Sequence, residues 1–296
     1  MSEKFDIPFK SDLVPTILEP SAQIQFNCHK GISCFNACCR HADIQLTPYD
    51  IIRLKDNRGM SPTEFLKKHT VPFEMDRDGL PGIKMRTDDE GACLFLTEEG
   101  CSVYADRPTA CRYYPVGHMA VHEAGAKDEE TRYFLVSEEH CKGHQEDRFL
   151  TVDAYRKEQQ VEPYDQLNHE YMQLILKKKS AGPTIGRPSD TSLQFFFMCA
   201  YDLDRLRRYV LSDAFKAAYD LEESFYETVE KEDIALMQFG IRLLKQVLFG
   251  DHSILEQPGA AEKRLQERRE ILELRRKAEA ELHQQKQEKE MKDVLS

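Results

Sequence analysis

Eight of the nine cysteines precede residue 142. Four of them, Cys28, Cys34, Cys38 and Cys39, fall within twelve residues in the string CHKGISCFNACCR. Cys93, Cys101, Cys111 and Cys141 follow, and Cys199 stands alone in a later segment. A free cysteine is a small hydrophobe with reactive chemistry, so thiols at this density are seldom present for bulk. Whatever ties them together, disulfides or metal, limits what the first half can fold into.

Compartment separates those two answers. The opening MSEKFDIPFKSDLVPTILEP holds acidic residues, two early prolines and no uninterrupted apolar core. It reads as neither a secretory signal nor a transit peptide. No stretch approaches the roughly 18 apolar residues needed to cross a bilayer. The expectation is a cytoplasmic chain with no membrane partner, where thiols stay reduced and a cysteine framework points to metal or catalysis. A formal net charge of -11 argues against nucleic acid, because phosphate binding needs a basic face.

A length of 296 residues allows one large domain or two smaller ones. The expected class is α+β: a small cysteine-rich metal-binding unit with short strands, packed against a helical C-terminal unit, plus a charged helical tail. Residues 1–25 read as a lead-in on the surface, 26–145 as the cysteine-cluster domain and 150–256 as the helical domain. Residues 257–296, rich in Glu, Lys, Arg and Gln, read as a helical or disordered tail. Leu265 and Leu272 are seven apart, but Leu282 breaks the register, so no sustained heptad is present. A solvated helix of this kind could offer a protein partner a charged surface.

Within the cysteine unit, LTPYDIIRL predicts a helix capped by Thr47 with Pro48 at its first position. SPTEFLKK repeats the device, with Ser61 as cap, then Pro62, and Glu64 placed to close a capping box. LPGIKMR (80–86) and ACLFL (92–96), flanking DDEG, predict a hairpin. VGHMAVH (116–122) and RYFLV (132–136) predict another. Further on, VDAYRKEQQ, PYDQLNHEYMQLILKKK, SLQFFFMCAYDLDRLRRYVLS and 231–250 carry helical spacing. Met237, Ile241, Leu244 and Leu248 mark the apolar stripe of the last. SAGPTIGRPSD (180–190) is rich in helix breakers.

Thiolates are soft anionic ligands suited to zinc and to iron–sulfur clusters. Four of them leave a negative site that backbone amides or cations must offset. Gly31 and Gly100 permit tight turns beside Cys34 and Cys101, and Arg40, Arg107 and Arg112 lie near the cysteines. Adjacent Cys38 and Cys39 diverge on either a helix or a strand. Either they serve different centres, or one binds metal and the other is packed or reactive. The spacings match neither a zinc ribbon nor the bacterial ferredoxin run, so the metal stays open. His29, His41, His118, His122, His140 and His144 surround the cluster, but a surplus of thiols makes histidine unnecessary. Cys199, in FFFMCAY, reads as a buried core residue.

The run Cys28…Cys34-x₃-Cys38-Cys39, then LTPYDIIRL, then Cys93 through Pro115 with Cys101, Tyr104, Arg107-Pro108 and Cys111-Arg112, resembles the YkgJ-like cysteine-cluster proteins. That resemblance implies zinc or iron chelation. Residues 195–250 resemble the helical extension of longer members. The module is also similar to part of bacterial flagellin lysine N-methylases, which implies an iron–sulfur cluster. The candidate metal residues are Cys28, Cys34, Cys38, Cys39, Cys93, Cys101, Cys111 and Cys141, holding an iron–sulfur cluster or zinc. Two other readings stand beside this one. One is a cluster-dependent enzyme, methylase-like or redox, with no catalytic residue named. The other is a structural zinc module for partner binding. The sulfurs of Cys34, Cys38, Cys39, Cys93, Cys101 and Cys111 are expected to converge, each within a few ångströms of at least two others, with Cys28 and Cys141 in or beside the same cluster and Cys199 remote. One of Arg107 and Arg112 is expected to turn inward.

Overall fold

The computed structural model describes residues 17–40, 43–75, 79–121, 130–180 and 189–260, with isolated positions 262, 266 and 269 beyond them. Residues 1–16, His41, His122, most of the 180–190 loop and the body of the charged tail lie outside the described residues.

The chain opens with β1 (Ile17–Leu18) and β2 (Gln23–Gln25). Then α1 (Pro48–Arg58) starts at Thr47, whose hydroxyl accepts from the Asp50 amide while the Asp50 carboxylate accepts from the Thr47 amide. This reciprocal box satisfies donors the first turn would otherwise leave bare. α1 ends at Gly59, whose φ of 62° is left-handed and free of Cβ strain only for glycine. α2 (Pro62–His69) begins with the same device built from Ser61 and Glu64. Both starts agree with the sequence reading.

The first hairpin does not. β4 (Pro81–Met85) pairs with β3 (Thr70–Glu74), in the register Pro72 opposite Ile83, and not with 92–96. Only an isolated bridge joins Thr87 to Cys93. The Asp88 carboxylate accepts from the amides of Glu90 and Ala92, so DDEG closes a local loop and leaves no room for a strand pair. β3 escaped notice because it follows α2 with no breaker between them. The chain then forms β5 (Leu96–Thr97) and β6 (Gly100–Cys101), which pair with each other.

After α3 (Thr109–Tyr113), β7 (Val116–Val121) and β8 (Glu130–Leu135) form the expected second hairpin. β1 adds to the free edge of β8, and β2 pairs with β9 (Phe149–Thr151). The end of the lead-in is therefore woven into two sheets and is not a surface arm. Ile24 and Phe26 are buried, and their alternation with Gln23 and Gln25 has the two-residue period of a strand.

The remaining described chain is helical: α4 (Val152–Glu158), α5 (Glu162–Ser180), α6 (Asp190–Ala200), α7 (Leu203–Val210), α8 (Asp213–Lys216), α9 (Glu223–Lys231) and α10 (Asp233–Phe249). The fold is thus α+β, with short strands in small sheets and a helical C-terminal half. On α10, Met237, Ile241 and Leu244 are buried, and Leu248 packs at the margin. Gly240 lies where a Cβ would meet the Cys199 carbonyl oxygen at 2.5 Å, so α6 and α10 cross in close contact there. No helix among the described residues is long and apolar enough to cross a membrane.

Two cores result. The larger joins Ile51, Phe65 and Ile83 to Leu174, Phe196 and Leu236. The smaller joins Ile24, Phe26 and Val116 to Val152, Tyr155 and Val161. Both draw on residues from either side of position 150. Burial of large apolar side chains is worth about 1.5–3 kcal/mol each, so these shared cores bind the cysteine-bearing segments to the helices.

Candidate metal centre

The eight N-terminal cysteines are carried by four stretches of chain. The first runs from Cys28 through a series of tight turns to a short 3-10 turn at Ala37–Cys39. Asn36 enters that turn with φ 67°, a left-handed conformation asparagine tolerates better than most residues. The second is the loop and β5–β6 hairpin bearing Cys93 and Cys101. Its Gly100 takes φ 121°, with Phe35 of the first stretch packed over it at 3.4 Å from a virtual Cβ. The third is α3 with Cys111, and the fourth is the turn at Cys141.

Backbone contacts lock these stretches together. The Cys93 amide donates to the Cys39 carbonyl at 2.9 Å. The Lys142 amide donates to the Cys34 sulfur at 3.1 Å. Asn27 donates to the carbonyl of Gly143 at 3.0 Å, seating Cys28 beside the Cys141 turn. The sulfurs of Cys38 and Cys39 are 4.0 Å apart.

The thiols sense one another. Burial, then Cys38, Cys34 and Cys141, push the Cys28 thiol up to about 11. The hydrogen bond with Cys39 pulls Cys38 down to about 7, and the same bond raises Cys39, with burial, Cys38, Cys111 and Cys93 adding to the rise. Burial, then Cys93, Cys101, Asp50 and Cys38, raise Cys111. Burial raises Cys93, and amide hydrogen bonds from Phe95 and Leu96 partly oppose it. Burial likewise raises Cys101, against the Val103 amide and the Arg107 cation. Amides aimed at sulfur favour the thiolate form that a metal needs.

Both arginines turn inward. Arg112 is 3% exposed and donates to the carbonyls of Arg107, Gln159 and Ala105 and to the Tyr164 hydroxyl. Its guanidinium lies 4.2 Å from the centre of the Tyr164 ring. Arg107 donates to the Tyr104 carbonyl and to Gln159, and faces the Tyr104 ring at 4.0 Å. Arg107 is extended ahead of Pro108, and α3 follows, as the sequence predicts. Arg40 is exposed.

Sequence reasoning missed Asp50. It is fully buried, and its carboxylate accepts the amide and hydroxyl of Thr109 at 2.8 and 2.7 Å as well as the Thr47 amide. It therefore pins the start of the Cys111 helix to α1. An acidic residue three positions after Thr47 was the available signal, since that is the second half of a capping box.

The described histidines point to other partners. His29 pairs with Glu146 at 2.9 Å, and His140 with Glu138 at 3.6 Å. His118 packs on the Tyr113 ring and His144 on the Phe26 ring. Cys199 is buried in the larger core, as expected.

The sulfurs form a neighbourhood without closing on one point. Among the described residues, no three His, Cys, Asp or Glu side chains stand in an arrangement that could hold one ion. The expected separation of a few ångströms to two or more neighbours is therefore not met, and Cys38 with Cys39 is the sulfur pair in contact. The donor chemistry nonetheless fits a thiolate centre: eight free thiols, amides directed at Cys34, Cys93 and Cys101, and a cation beside Cys101.

Residues 27–142 match the family model CxxCxxCC, described as a "Putative zinc- or iron-chelating domain". The match spans all eight of these cysteines, covers less than half of the chain and agrees with the cysteine-cluster resemblance read from sequence. No curated protein and no solved structure matches the chain.

Proposed function

We propose that the chain holds zinc or an iron–sulfur cluster through thiolates drawn from Cys28, Cys34, Cys38, Cys39, Cys93, Cys101, Cys111 and Cys141, and that the role of the metal is structural. One observation carries this reading. The cysteines are distributed over segments that border both cores: Cys93 and Cys101 pack against the larger, and Cys141 against the smaller. Bound metal supplies positive charge to paired thiolates and contributes its binding free energy to folding. The protein's own part is to present the sulfurs from fixed turns, direct amides at them and hold α3 in place through Arg112 and Asp50.

An open groove lies between β3–β4 and α6, lined by Pro72, Phe73, Leu193 and Phe197, and none of the eight cysteines borders it.

Anaerobic purification followed by metal and acid-labile sulfide analysis tests the proposal. Zinc without sulfide, or iron with matching sulfide and a brown colour, supports it. Metal-free protein of full thermal stability, with all eight thiols titratable, would overturn it.

A further inference from the structure

We propose that the eight thiols form two metal centres that meet at the Cys38–Cys39 dipeptide. Cys28, Cys34, Cys38 and Cys141 form one, and Cys39, Cys93, Cys101 and Cys111 the other. This inference rests on the thiolate reading above and goes beyond it in number and in ligand assignment.

The first argument is capacity. A structural zinc takes four ligands, and a cubane iron–sulfur cluster takes four cysteines. Eight thiols in one neighbourhood exceed what one such centre can use. Cys199 is enclosed at 0% exposure, whereas all eight others are exposed or half-buried, including Cys93, Cys101 and Cys141 at the margins of the cores.

The second argument is how the chain sorts them. The Cys28–Cys34 turns are tied to the Cys141 turn by the Lys142 amide on the Cys34 sulfur and by the Asn27 amide on Gly143. That side belongs to the smaller core, where Cys141 packs. Cys39 is tied instead to the Cys93 amide, and Cys93 and Cys101 pack on the larger core with the hairpin. Asp50, on α1 of that same core, fixes the helix carrying Cys111. The dividing line runs between two adjacent residues. Cys38 is exposed and Cys39 is half-buried, with their sulfurs 4.0 Å apart.

The Tyr114 hydroxyl lies buried beside Cys141 and Glu138, which adds a polar contact at the first site.

The test is metal content per chain in the full-length protein purified anaerobically, as wild type and as two double variants. These are Cys34→Ser with Cys141→Ser, and Cys93→Ser with Cys101→Ser. The wild type should hold two zinc ions or two clusters, and each double variant half of that. A cobalt titration of the metal-stripped wild type, read by thiolate-to-cobalt absorption, does not depend on the variants folding. It should saturate at two equivalents. Saturation at one equivalent, or complete metal loss from either double variant while it stays folded by circular dichroism, would overturn the two-centre arrangement and leave thiolate binding intact. A wild type without metal would overturn both.

Discussion

Asp50 and Thr109, 59 residues apart in sequence, are joined by two hydrogen bonds of 2.8 and 2.7 Å at a site with no solvent exposure. The carboxylate lies at the start of α1 and the threonine begins the helix carrying Cys111. One side chain thus caps its own helix and positions a candidate ligand. Burial raises the Asp50 carboxyl, and the hydrogen bonds from Thr47 and Thr109 oppose that rise.

Asp50→Ala strands the amides of Thr47 and Thr109 in the interior. At about 1–3 kcal/mol for each unsatisfied buried group, it should destabilise the protein by about 2–5 kcal/mol. Asp50→Asn keeps an acceptor oxygen and should cost less. Urea denaturation of both variants checks this, and equal stability for Asp50→Ala and wild type would show that the contact contributes nothing.

Arg112 uses its planar fork to reach three carbonyls and a hydroxyl. A lysine ammonium keeps the charge and cannot span that set. Arg112→Lys should therefore be nearly as damaging as Arg112→Ala, both by about 2–4 kcal/mol, with bound metal lowered in parallel. A mild Arg112→Lys and a severe Arg112→Ala would mean that the arginine only neutralises charge. Thermal melts and metal analysis of the pair decide between the two.

Asp233 lies between Lys55, at 2.6 Å, and Arg207. Burial opposes its charge, but the hydrogen bonds from Lys55 and Arg207 outweigh burial and hold its carboxyl below the usual value. A carboxyl depressed in the folded state binds fewer protons than in the unfolded state. Its stabilisation is present above the unfolded value of about 3.9 and is lost as pH falls through the lower folded value. The denaturation midpoint should fall as pH drops below about 4, and Asp233→Asn should flatten that part of the profile. An unchanged slope in the variant would remove Asp233 from the account.

Gly240→Ala places a methyl 2.5 Å from the Cys199 carbonyl oxygen and 2.7 Å from Leu206. The nearer contact is backbone and cannot rotate away. Despite alanine's better helix propensity, the variant should lose about 1–3 kcal/mol through forced separation of α6 and α10. A gain in melting temperature would contradict that crossing.

Local signals were legible where one residue type does one job. Thr47-Pro48 and Ser61-Pro62 announced two helices, and the apolar period of 231–250 announced α10. The burial of Cys199 and an inward arginine beside Cys111 were likewise readable from side-chain chemistry, although both Arg107 and Arg112 turn inward where one was expected. Pairing was not. The partner of β4 is β3, which follows α2 directly, and the pairing of Ile17–Leu18 with β8 joins residues more than a hundred positions apart. Nothing local encodes such contacts. α8 and α9 are short, with no side-chain cap on α9. The division near 150 follows a change in composition, whereas both cores span it, because apolar residues on α5 and α10 in the larger core and on α4 in the smaller need partners from the first half.

The central claim is ligation by sulfur, and X-ray absorption at the edge of whichever metal the anaerobically purified protein carries reads it directly. The account predicts a first shell of sulfur, at about 2.3 Å if the metal is zinc. A shell dominated by nitrogen and oxygen at about 2.0–2.1 Å would contradict it.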